Sequence, residues 1–63
     1  MEDYKERVIV EHSELTDKII ALSVFLESGK FDTLDKAQKY LLVAQHVFMI
    51  KYSEALSKRI TRF

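Results

Sequence analysis

Residues 33–61 read TLDKAQKYLLVAQHVFMIKYSEALSKRIT, a stretch without glycine or proline in which Gln38, Gln45, Tyr52 and Arg59 recur every seven residues. A spacing of seven returns a helical side chain to nearly the same face, so these four polar groups form one line along a single long helix. Leu41, Leu42, Phe48, Met49, Leu56 and Ile60 flank the line on both sides. Polar groups inside an apolar face are costly unless they are bonded, so the line requires a partner. Val43, Ala44, Val47 and Ile50 carry the apolar surface round toward the back of the helix. A helix apolar over so much of its circumference is usually enclosed.

Upstream, Val8, Leu15, Ile19, Leu22 and Leu26 fall at helical spacing, with His12 filling the one polar step between Val8 and Leu15. The pattern predicts a first helix from about Asp3 to Ser28, with Glu2, Asp3 and Glu6 complementing the positive end of its dipole. Ile9, Ile20, Val24 and Phe25 form a second stripe, wider than one partner helix would cover. Gly29 stands where a left-handed cap would end the helix, and Lys30 lies near its negative end. The break therefore falls at Ser28 to Asp32, with Asp32 or Thr33 capping the second helix, Asp35 in its first turn, and Phe31 and Leu34 plugging the end of the pair.

The expected architecture is all-α: one domain over residues 1–63, an antiparallel two-helix hairpin that assembles into a compact homo-oligomer. A chain this short hides only about 60% of the surface its unfolded form exposes, and with no cysteine it has no staple. A hydrophobic content of 48% with one glycine argues for surface buried between copies. Ten basic and ten acidic residues give zero net charge, so no global field draws the chain to DNA or to a membrane surface. The distribution is uneven: residues 1–17 carry −4, residues 18–50 carry +1 and residues 51–63 carry +3. The N-terminus has no signal-peptide pattern and no apolar run approaches the roughly 20 residues a bilayer needs, so the expected location is a cytoplasm.

No nucleophile is paired with a base and an orienting acid, and no glycine-rich phosphate loop is present, so the chain does not read as an enzyme. His12 and His46 stand apart from any third ligand, so neither a metal nor a cofactor is expected. A hairpin brings Tyr4, Lys5 and Arg7 to the same open end as Lys58, Arg59, Arg62 and Phe63. Rings beside guanidinium groups can stack on a base and hold a phosphate. The same residues also describe an ordinary solvated end, neutralised by Glu2, Asp3 and Glu6. Along the polar line, Gln38 and Gln45 are expected to make internal bonds that set helix register, and Tyr52 to tie its hydroxyl to a neighbour. Arg59 sits near the chain end, where an anion can reach it.

Arg7-Val8, Glu11, Glu14-Leu15 and Lys18-Ile19, followed by Leu41-Leu42, Gln45, Met49, Tyr52, Leu56 and Arg59-Ile60, carry a resemblance. The chain resembles a family of small proteins of crAss-like phage that includes the anti-CBASS sponges of cyclic oligonucleotide signals. That resemblance implies a homohexamer in the host cytoplasm that binds cyclic di- or trinucleotides between protomers and does not cleave them. It implies that Tyr4 stacks on a base while Lys18 and Arg59 contact the ligand; Arg7, Lys58, Arg62 and Phe63, which the hairpin sets at the open end, are candidates for further contacts. With the turn near residue 30, Lys18 should face residue 44, on the order of 20 Å along the hairpin from Arg59. At that separation one small ligand would draw the two from different chains. The rival reading is a non-catalytic helical oligomer that binds a host or phage protein through an apolar face.

Overall fold

The computed structural model describes residues 3–63, so the expectation placed on Glu2 lies outside the described residues. Within them the chain forms α1 (Tyr4–Leu26), a single turn α2 (Gly29–Asp32) and α3 (Lys36–Ile60), with no strand among the described residues. The molecule measures 46 × 16 × 15 Å, the shape of two long helices side by side.

The antiparallel arrangement follows from two alternating four- and three-residue steps that meet each other. On α1 they run Val8, His12, Leu15, Ile19, Leu22, Leu26, and on α3 Leu42, His46, Met49, Ser53, Leu56, Ile60. Each step keeps a side chain in the groove between two helices. Val8, Leu15 and Leu56 are buried, and Ile19, Met49 and Ile60 pack against them. Two polar rungs cross the same seam: His12 Nε2 to Ser53 Oγ at 3.3 Å, and Ser23 Oγ to His46 Nε2 at 2.7 Å. They bracket Lys18 and place it opposite about residue 49, not residue 44, because the reversal consumes α2 and its flanks.

The reversal differs from the sequence expectation in three respects. No glycine adopts a positive φ, so Gly29 is not a left-handed cap but the first residue of α2. The end of α1 is closed instead by Glu27 in the right-handed helical region, whose N–H reaches the Val24 carbonyl at 3.2 Å. The Ser28 hydroxyl then donates to the Phe25 carbonyl at 2.7 Å, and the extended Ser28 backbone launches α2. Asp32 ends α2, and the Thr33 hydroxyl donates back to the Lys30 carbonyl at 2.6 Å, so neither caps the long helix. That cap is Asp35, whose carboxylate accepts the Gln38 N–H at 2.8 Å. Asp3 does the same for α1, accepting the Glu6 N–H at 3.1 Å. Phe31 and Leu34 are half-buried at the reversal, and the Lys39 ammonium lies 5.9 Å from the Phe31 ring centre.

Replacing Asp35 by alanine should cost about 1 kcal/mol of helix stability, whereas Thr33→Ala should cost less, because only the former leaves an α3 N–H without its acceptor. Thermal melts followed by far-UV circular dichroism rank the two. A larger loss at Thr33 would contradict the observed cap.

Candidate functional site

The polar line on α3 is not an internal ladder within the protomer. Gln38 and Gln45 are both exposed, and Gln45 Nε2 reaches only the Met49 sulfur at 3.9 Å. Tyr52 is 45% exposed. Register across the hairpin is set instead by the two Ser–His rungs, which the sequence reading missed. The signal was present: His46 and Ser53 occupy consecutive steps of the stripe that contains Leu42, Met49, Leu56 and Ile60. Ser23 also donates its hydroxyl proton to the Ile19 carbonyl at 2.9 Å. A hydroxyl has one proton, so His46 supplies the proton of the 2.7 Å rung through Nε2. The imidazole therefore faces Ser23 as a donor, the reverse of what a base activating a nucleophile would do.

The open end of the hairpin is built by the two termini. Asp3 caps α1 so that Tyr4 is its first residue, and α3 ends at Ile60 with the Thr61 hydroxyl donating to the Lys58 carbonyl at 2.8 Å. The Phe63 N–H bonds to the Ile60 carbonyl at 3.2 Å, which carries the helical winding on past Ile60. There the Tyr4 and Phe63 rings meet edge to face, with centroids 5.6 Å apart and planes at 86°. Both rings keep exposed area, 55% for Tyr4 and 39% for Phe63. Lys58 and Arg59 lie on the last turn of α3 and Arg62 just beyond it, all exposed. Cations there also complement the negative end of the α3 dipole.

Tyr4, Glu11 and Lys18 recur every seven residues on α1, as Gln45, Tyr52 and Arg59 do on α3. The Tyr4–Phe63 ring contact joins the two lines along one edge of the seam, Phe63 lying one turn beyond Arg59. Tyr4, Lys18 and Arg59 thus share a face of one protomer, with Tyr4 and Arg59 near the open end. Lys18 stands opposite about residue 49, ten residues short of Arg59, or about 15 Å along the axis. That is shorter than the sequence expectation, and it no longer forces the two residues onto different chains.

Arg7 belongs to another feature. An open groove of about 470 Å³ runs along α1, lined by Glu6, Arg7, Val10, Glu11 and Glu14. Three carboxylates against one guanidinium make it unsuited to an anion. Among the described residues no group of histidine, cysteine, aspartate or glutamate side chains has the geometry to hold a metal ion. No helix among them is long and apolar enough to cross a membrane.

A family model described as Sequestin matches residues 2–62 of the chain. A relative from Enterobacteria phage T4, described as an uncharacterized 7.5 kDa protein in the denB-rIIB intergenic region, is 47% identical over 60 residues. The alignment covers 95% of this chain and 94% of the relative. No solved structure matches the chain.

Proposed function

The chain belongs to the Sequestin family, and on that premise we propose that it is a phage sponge that binds and sequesters cyclic di- or trinucleotide immune messengers without cleaving them. The family name speaks of sequestration, and the relative in phage T4 places the family among small phage proteins. The observation that carries the ligand class is the shared face of Tyr4, Lys18 and Arg59, with a ring pair at the cationic end. Exposed rings stack on bases of any sequence, and guanidinium and ammonium groups hold phosphates, so the face supplies both halves of nucleotide recognition. Lys58, Arg62 and Phe63 lie at the same end as further contacts, whereas Arg7 lines the carboxylate-rich groove.

A sponge acts by stoichiometry: it lowers the free concentration of a messenger in the host cytoplasm, so the effector that reads it stays off. The working form is a homo-oligomer, in the fullest case a hexamer with ligands between protomers. The apolar surface that each hairpin leaves uncovered supports that association, since Leu41 and Phe48 are both more than half exposed. The same surface favours the second reading, a helical oligomer that binds a host or phage protein.

Thermal-shift measurements with a panel of cyclic di- and trinucleotides separate the two readings. A ligand that binds only the folded assembly adds about 2.7 kcal/mol at one hundred times its Kd, so a sponge must melt several degrees higher with its messenger. No shift with any member of the panel at high concentration would remove the nucleotide reading and leave the protein partner.

A further inference from the structure

We infer that two copies of the chain pair through the stripe Leu41, Gln45, Phe48, Tyr52, Ala55 and Arg59 of α3, antiparallel about a twofold axis. These residues step by four and three, as the hairpin seam does, but one position round the helix from it. The seam inside the protomer uses Leu42, His46, Met49, Ser53, Leu56 and Ile60, so α3 carries two adjacent coiled-coil faces and fills one. The unfilled face is apolar where it should be core: Leu41 is 57% exposed and Phe48 67%.

The area deficit has the size of one such interface. The chain exposes 5099 Å², whereas a folded monomer of its mass should expose about 4,200 Å². The excess of about 900 Å² compares with about 800 Å² that each partner buries in a standard interface.

The order of residues supplies the orientation. In an antiparallel pair centred at residue 50, Phe48 meets the partner's Tyr52, Gln45 meets the partner's Ala55, and Leu41 meets the partner's Arg59. Four aromatic rings then occupy the middle, each long side chain beside them faces a small one, and the guanidinium emerges at the rim with its stem over leucine. A parallel pair would instead set Arg59 against the partner's Arg59, which like-charge repulsion disfavours. A third stripe on α3, Tyr40, Val43, Val47, Ile50, Glu54 and Ser57, is less suited, because an antiparallel pair through it, centred between residues 48 and 49, would bury Glu54 against the partner's Val43. This pairing carries the partner's Leu41 and Gln38 to the end that holds Arg59 and Phe63, so the open end is completed by a second chain. The pairing holds whatever the ligand proves to be.

The chain has no cysteine, so disulfide trapping reads the register directly. Gln45→Cys and Ala55→Cys chains, oxidised together, should give a covalent dimer, and neither should do so alone, because only the mixed pair stands face to face. Light scattering of the unmodified protein should give an even number of 7.4 kDa chains. Phe48→Glu should reduce the mass while circular dichroism keeps the helical signal, since Phe48 is not part of the protomer core. A monomer at tens of micromolar, or trapping of Val43→Cys with Glu54→Cys in place of the first pair, would overturn the assignment. Neither result depends on nucleotide binding, so failure here and failure of the sponge reading are separately visible.

Discussion

Leu56→Ala should lose about 2–5 kcal/mol and leave the chain largely unfolded at physiological temperature. Leu56 is 2% exposed, the least of the three buried residues, and sits where Val8 and Leu15 converge from α1. Truncating a buried leucine removes its transfer energy and leaves a cavity that two straight helices cannot close without losing the seam on either side. A chain of 63 residues has a total stability of about 3–9 kcal/mol, so one such cavity removes most of it. For a domain of this size the corresponding fall in Tm is roughly 10–40 °C, readable by far-UV circular dichroism. Val24→Ala is the matched control, because Val24 is 66% exposed on the same hairpin and its truncation should stay within about 0.5 kcal/mol. A loss at Val24 as large as that at Leu56 would show that a second chain covers it and that the hairpin seam is not where most of the stability resides.

The contrast between Leu56 and Phe48 also measures what the sequence could tell. Periodicity revealed that both lie on helical stripes, and it found the all-α class and the limits of α1 to within two residues. It could not say which stripe the hairpin uses, because α3 offers neighbouring stripes offset by a single position. The choice falls to the stripe with Leu42, Met49, Leu56 and Ile60, whose two polar steps, His46 and Ser53, find partners in Ser23 and His12 on α1. A polar residue in an apolar step is read as a gap until its partner on another helix is known. The turn differs from its sequence pattern for a related reason. Glycine most often makes a left-handed cap, but here Ser28 and Glu27 satisfy the last carbonyls of α1 without a left-handed residue. With Asp35 as the cap the reversal spans more residues, and the two rungs set Lys18 opposite about residue 49. Of the ligand face, Tyr4 and Arg59 could be placed together from the hairpin alone. The hairpin also brings Phe63 to that end, but the edge-to-face contact with Tyr4 depends on the helical winding carrying on past the end of α3.

Arg59→Ala should sharply reduce the nucleotide-dependent rise in melting temperature and leave the unliganded Tm nearly unchanged. Arg59 is exposed, and the core of Val8, Leu15 and Leu56 does not include it, so the fold has little to lose by its truncation. A phosphate held by a guanidinium has much to lose: each charge-assisted hydrogen bond contributes about 1.5–3 kcal/mol, so the Kd should rise roughly 10- to 150-fold. Arg59→Lys keeps the charge but not the planar fork, and should recover only part of the affinity if the contact is bidentate. Lys18→Ala should weaken binding less, because an ammonium acts as a point charge at the far end of the face, about 15 Å from Arg59. Isothermal titration with the nucleotide that shifts the wild-type melt ranks the three variants, and light scattering of each checks that the assembly persists. Should Arg59→Ala dissociate the oligomer while the monomers still bind, the guanidinium belongs to the interface at the rim of the Phe48 stripe, and the phosphate contact must be sought among Lys58 and Arg62 on the same turn. Unchanged affinity in an intact assembly would instead remove the open end from the ligand site altogether.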